Sequence, residues 1–194
     1  MSTTRLDQFD NSDFRPGPWL VRFLWVIVSG LFFQNWLPWP SALKRTLLRL
    51  FGASIGRGVV LKPRVTIKYP WKLTVGDHSW IGENVWIDNL GQVAIGNHCC
   101  LSQGALLLCG NHNYKKPTFD LMVGDITLED GVWIGARACV GPGLTCHSHS
   151  VLAMGCVATQ DLESWAIYQG IPAKPKKKRT IGANAIPLAA INPS

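Results

Sequence analysis

The 194-residue chain contains no apolar run long enough to span a bilayer comfortably. Trp19 to Phe33 is strongly apolar, but Arg22, Ser29 and Gly30 interrupt it and it falls short of the about 20 residues required. A signal-peptide pattern is also missing, so a reducing cytoplasmic setting is the expectation, with contact to the inner face of the membrane left open. No standard zinc spacing occurs: Cys146-His147-Ser148-His149 fits none, and no metal is expected. The net charge of +7 invites anionic partners, yet much of it sits in Lys174–Arg179, without interleaved aromatics or a recognised nucleic-acid motif. Nucleic acid is therefore not an expected partner. Nine tryptophans and 47% apolar residues exclude general disorder, and the length suits one domain with a single core.

What the chain does have is a period of six. Apolar residues recur at Ile55, Leu61 and Ile67, at Val75, Ile81 and Ile87, and at Ile95, Leu101 and Leu107. The step resumes at Leu128, Ile134 and Val140 and runs through Cys146, Leu152 and Ala158. An α-helix cannot hold such a stripe, because 3.6 residues per turn rotates position i+6 off the face. A solenoid can, with each hexapeptide forming one short strand and one corner. Three hexapeptides make a triangular coil, with the periodic residue pointing inward. Small residues after it (Gly56, Gly76, Gly82, Gly96, Gly135, Gly141, Ala153) suit tight passage of the chain. Arg57, Asn84, Asn97, His98 and Arg137 fall at corners. The eight-residue steps Ile67–Val75 and Ile87–Ile95 read as enlarged corners, and 109–125 as an ejected loop. Cys146 at a periodic position, with Cys99 and Cys156 at fifth positions, reads as small apolar filling rather than part of a disulfide set.

Residues 1–54 differ in kind. Pro38 and Pro40 end the apolar segment, and Ser41 is placed as the N-cap of a second helix, Ala42 to Phe51, closed by Gly52. Its leucines and basic residues give an amphipathic pattern. The pair is expected first of all to cap the open end of the solenoid, with contact of residues 19–51 with a membrane surface as the second reading, compatible with the first. Residues 55–163 form the expected solenoid, 164–181 a C-terminal segment, and 182–194 a flexible tail.

The repeats, the loop Gly110-Asn-His112-Asn-Tyr114, the block Val132-Trp-Ile-Gly-Ala-Arg137 and the ending Gly170-Ile-Pro-Ala-Lys174 together resemble the hexapeptide-repeat acyltransferases. The likeness extends to the colanic acid biosynthesis acetyltransferase group, relatives of the galactoside and maltose O-acetyltransferases, and also takes in Leu47–Gly56 and Tyr69–Leu73. It implies a mainly β fold, a left-handed parallel β-helix assembled as a homotrimer. It also implies transfer of acetyl from acetyl-CoA to a sugar hydroxyl in exopolysaccharide or cell-surface polysaccharide biosynthesis.

That reaction needs a base, because a hydroxyl is a poor nucleophile near neutral pH. His112, opening the ejected loop, is the candidate, whereas His78 and His98 sit at regular corners and read as surface residues. The resemblance implies CoA contacts at Ala136, Met154 and Thr159, with Lys174 and Lys177 facing phosphate. It implies acceptor contacts at Asn84 and Asp88, and Trp133 as a wall of the acyl pocket; plain turn roles for Asn84 and Asp88, and a merely exposed role for Trp133, stay open. Two departures stand out. Hydrophobic helices replace the sugar-contacting N-terminal region of the galactoside-type relatives, which favours a lipid-linked or nascent polysaccharide acceptor. The stretch before Gly170 is one residue shorter than in those relatives, which loosens the lysine assignment.

The alternatives are a non-catalytic hexapeptide-repeat scaffold and a metal hydratase like the γ-type carbonic anhydrases. The latter carry a His-x-x-x-x-His pair, but Pro117 stands five residues after His112 here. Sugar nucleotidyltransferases precede their repeats with a large nucleotide-binding domain, for which residues 1–54 leave no room.

Overall fold

A computed structural model describes residues 3–182; the expected tail lies outside them but for Gly182. The body is a parallel β-solenoid with three faces. The first face stacks Ser54–Ile55, Leu73–Val75, Val93–Ile95, Ile126–Leu128 and Thr145–Cys146. The second stacks Val60–Leu61, Trp80–Ile81, Cys100–Leu101, Trp133–Ile134, Val151–Leu152 and Ala166–Gly170, with Ala173–Lys178 folded back antiparallel at its end. The third stacks Thr66–Ile67, Trp86–Asp88, Leu106–Leu108, Cys139–Val140 and Val157–Ala158. Five complete coils result, topped by a partial sixth in which Leu162 bridges to Cys146.

The six-residue step causes this shape. Every periodic residue from Ile55 to Ala158 is buried, and Leu101, Leu107, Ile134 and Val140 have no exposed surface. Fully burying a branched aliphatic side chain stabilises by about 1.5–3 kcal/mol, so each coil adds driving force only when stacked on its neighbours. Val59, Val65, Val85, Ala105, Val132 and Ala138 fill the gaps between them. All six cysteines are free, and burial pushes the thiols of Cys99 and Cys109 up to about 11 and that of Cys146 to about 12. These three are packing groups, not nucleophiles.

The corners combine two devices. Asn84, His98 and Arg137 adopt the left-handed region, with φ of 58°, 54° and 55°. At the corner of Arg57 the neighbouring Gly58 takes that conformation instead. Asn97 uses its side chain: its Oδ1 accepts from the Asp77 N–H at 2.8 Å, and its own N–H donates to Asp130 Oδ1 at 2.7 Å. Asp77 in turn accepts from the Arg57 N–H, so a column of side chains ties four successive coils at one corner. The small residue after a periodic position allows close stacking. A Cβ on Gly135 would lie 2.5 Å from the Met154 nitrogen. The two eight-residue steps hold a 3-10 turn at Pro70–Lys72 and the buried Asn89, which accepts from Tyr69 N–H and donates to Tyr69 C=O.

The N-terminal helices, α1 (Trp19–Phe32) and α2 (Ser41–Leu50), close the first coil, and α2 turns basic side chains as well as leucine toward it. In α2 Lys44 and Leu48 are buried, while Leu43 and Leu50 face out. The reason is the unpaired carbonyl row of the first coil, which has no preceding coil to donate to it. Lys44 Nζ reaches Lys62 C=O at 2.9 Å, Arg45 reaches Val59 C=O at 2.8 Å, and Arg49 reaches Ile55 C=O at 2.7 Å. Trp25 of α1 donates from its indole to Ile67 C=O at 2.8 Å. Ser41 does not cap α2. Pro40 stands at the N-cap, and Ser41 Oγ instead accepts from the Leu61 N–H at 3.1 Å.

Candidate active site

The ejected loop is a two-stranded antiparallel hairpin, Gly110–His112 against Leu121–Val123, leaving the corner between the third and first faces. His112 lies directly across from Leu121. Its ring stacks on Phe119 at 4.4 Å and 7°, and its Nδ1 is 2.9 Å from the Phe119 carbonyl oxygen. A carbonyl can only accept, so Nδ1 carries the proton and Nε2 presents its lone pair. That is the tautomer of a proton acceptor. Phe119 holds φ of 52°, which turns its carbonyl toward the ring. The segment before α1 also packs here: Phe9 lies 5.7 Å from the His112 ring, and Arg5 N–H donates to Pro117 C=O. Nothing in the sequence pattern signalled that strap.

A groove of about 590 Å³ runs along the corner between the second and third faces. It crosses three successive coils at Ser102–Gln103, Gly135–Ala136 and Ala153–Met154, with Trp133, Gln169, Lys177 and Arg179 on its sides. The Trp133 indole is oriented by a 2.9 Å hydrogen bond to Ser102 Oγ. Arg179 is spent on the carbonyls of Gly131 and His149. Of the residues singled out for CoA, the structure brings together Ala136, Met154 and Lys177, with Trp133 beside them. Thr159 and Lys174 are not among the residues lining the groove. Lys174, near the start of the returning strand, instead reaches Gln160, next to Thr159, at 3.3 Å.

Asn84 and Asp88 are also separated. Asn84 occupies a left-handed corner on the coil below Ser102. Asp88 ends its strand beneath the hairpin root: a Cβ on Gly110 would stand 3.9 Å from its Oδ2. Asp88 is 8% exposed, with the Lys68 ammonium 2.9 Å from its Oδ1 but without hydrogen-bond alignment. The pair borders a cleft of about 290 Å³, walled by Trp25 and Trp86 and furnished with Ser29, Gln34 and Thr66.

The other histidines have different work. His147 Nδ1 meets Glu129 at 3.0 Å, His149 stacks on Trp165 at 4.2 Å, and His78 stacks on His98 at 5.3 Å. Hydrogen bonds from His147 and Ser148 hold the Glu129 carboxyl below its ordinary range. Among the described residues no group of three or more His, Cys, Asp or Glu side chains could hold a metal ion.

The hairpin leaves one corner of the triangular coil and the groove follows another, with the third face between them. One chain therefore presents both parts on different edges.

No family model matches the chain. It is 35% identical over 161 residues to WcaF of Escherichia coli (strain K12), named for an acetyltransferase role in colanic acid biosynthesis; the alignment covers 82% of this chain and 88% of that one. Among solved structures it is similar to a maltose O-acetyltransferase from Clostridium difficile 630, with a TM-score of 0.76 and 20% identity over 84% of this chain and 90% of that chain. It also resembles a hexapeptide-repeat-containing acetyltransferase of Vibrio cholerae O1 biovar eltor complexed with acetyl coenzyme A, with a TM-score of 0.75 and 22% identity over 84% and 88% of the two chains.

Proposed function

The chain belongs to the hexapeptide-repeat acyltransferases as an acetyl-CoA-dependent acetyltransferase, and from that premise we propose that it O-acetylates a saccharide in polysaccharide biosynthesis with His112 as general base. The observation that carries the reading is the His112–Phe119 pair, which fixes the ring and leaves Nε2 as the acceptor. The acceptor hydroxyl attacks the thioester carbonyl carbon while its proton passes to Nε2. The C–S bond breaks, the new ester C–O bond remains, and the imidazolium returns the proton to the departing thiolate.

The remaining parts fall into place around that step. The long groove offers backbone edges to a peptide-like pantetheine arm, with Lys177 as a cation for the phosphates. The cleft beside Asp88 pairs aromatic walls with several hydrogen-bonding groups, a combination suited to a sugar ring that has one apolar face and many hydroxyls. Since hairpin and groove leave different edges of one prism, the complete site is assembled between neighbouring copies in a homotrimer. A polysaccharide unit carried on lipid is the acceptor that fits the apolar helices beside the cleft.

Thiol release from acetyl-CoA, measured across a panel of free and lipid-linked saccharides, tests this. The expected result is release that depends on the acceptor, with a product heavier by one acetyl group. Folded protein that binds acetyl-CoA but releases thiol with none of them contradicts the proposed reaction.

A further inference from the structure

The outer side of α1 is large, apolar and uncovered. Trp19, Leu20, Phe23, Ile27 and Leu31 are each 45–70% exposed, and Trp36 just beyond the helix is 71% exposed. A helix that is apolar on all sides is ordinarily buried on all sides, but here only the side carrying Trp25 and Ser29 packs on the solenoid. Single exposed leucines need no explanation; a continuous face of this kind does.

Charge identifies what covers it. From Phe14 to Gly76 the sequence holds ten lysines and arginines and no aspartate or glutamate. Arg15, Arg49, Arg57, Lys62, Arg64 and Lys68 are exposed in the cap and the first coil it closes. Arg57 is paired with Asp77 and Lys68 with Asp88, whereas Arg64 lies over the Trp36 ring at 4.3 Å. A second copy of the same face would bring like charges together, whereas an anionic bilayer supplies both an apolar interior and negative charge. Tryptophans near the two ends of the segment suit the headgroup level, where amphipathic rings accumulate. No helix among the described residues is long and apolar enough to cross a membrane, and α1 has 14 residues.

We infer that the exposed face of α1 and its basic surround form a docking surface for anionic lipid, with α1 lying in the plane of the interface. The surface adjoins the cleft at Asp88, whose walls include Trp25 and Val26 of α1. The docking surface stands independently of the acetyl-transfer reading.

Flotation of the full chain with vesicles of phosphatidylcholine alone, and of phosphatidylcholine with phosphatidylglycerol, tests it. The wild type is expected to float with the anionic vesicles and to be released by high salt. Phe23→Glu combined with Ile27→Glu should weaken binding about tenfold or more, with thermal unfolding and acetyl-CoA binding unchanged. Lys62→Glu with Arg64→Glu should also weaken it while leaving the apolar face intact. The inference is overturned if the wild type binds neither vesicle, or binds neutral vesicles equally well. It is also overturned if the helix variant binds like wild type, or if that variant instead dissociates an assembly that never bound lipid.

Discussion

His112 and Phe119 hold one another by two contacts, ring against ring at 4.4 Å and Nδ1 against carbonyl at 2.9 Å. A loop histidine held this way has one tautomer and one direction, which is what proton abstraction requires. Replacing His112 by Ala should lower turnover by about a hundredfold or more. Acetyl-CoA affinity and the unfolding temperature should change little, because the hairpin stands outside the prism core. Single-turnover rates and calorimetric binding check both parts; turnover at the wild-type level would refute the assignment.

The two lysines first read together from the sequence should separate in kinetics. Lys177 lines the groove, whereas Lys174 is engaged with Gln160. Lys177→Ala is expected to raise the KM for acetyl-CoA with kcat nearly unchanged, since phosphate binding is equal in the ground and transition states. Lys174→Ala should have the smaller effect. Steady-state kinetics on both variants decides it, and the reverse order would return the phosphate contact to Lys174.

The cap makes a stability prediction. Lys44 is fully buried among the first-coil carbonyls, and burial pulls its ammonium below the ordinary lysine value. Lys44→Met keeps the packing volume but leaves the Lys62 carbonyl without its donor, at a cost of about 1–3 kcal/mol. Arg57→Ala, at an exposed ion pair, should cost less than about 1 kcal/mol. Denaturant unfolding of the two variants provides the comparison.

These contacts mark where sequence reading stops. The hexapeptide step was legible because one inward residue in six must be apolar whatever surrounds it, and the hairpin was legible because it interrupts that step. The inward reach of Lys44, Arg45 and Arg49 was not, because the demand on them comes from a carbonyl row that exists only once the solenoid is built. The groove was legible in part: Ala136, Met154, Lys177 and Trp133 meet there, but Ser102 and Gln103 join from the corner of another coil and Gln169 from the strand stacked above. Asn84 and Asp88 are four apart in sequence, yet Asn84 sits at the corner before the strand Trp86–Asp88 and Asp88 at the strand's far end.

The corner column predicts an acid limb to stability. Hydrogen bonds from the backbone and side chain of Asn97 hold the Asp130 carboxyl below its ordinary value of 3.8. The unfolded chain therefore binds more protons in that range, so the contribution is complete above the ordinary carboxylate range and is lost as pH falls through the lower folded value. Asp130→Asn retains the acceptor oxygen for the Asn97 N–H without titrating. Its unfolding temperature should depend less steeply on pH below about 4 than that of the wild type. Equal slopes would remove Asp130 from the account.

The central claim is a site built from one chain's His112 and another's groove, and subunit mixing tests it most directly. His112→Ala lacks the base, and Ala136→Trp fills the groove; each alone should be inactive. In a mixed trimer one interface joins an intact His112 to an intact groove. Random reassembly in equal amounts makes roughly three-quarters of the trimers mixed, each with one site of three restored, so activity should return to roughly a quarter of wild type per chain. Proven subunit exchange with no recovered turnover, or a fully active monomer in light scattering, would contradict the shared site.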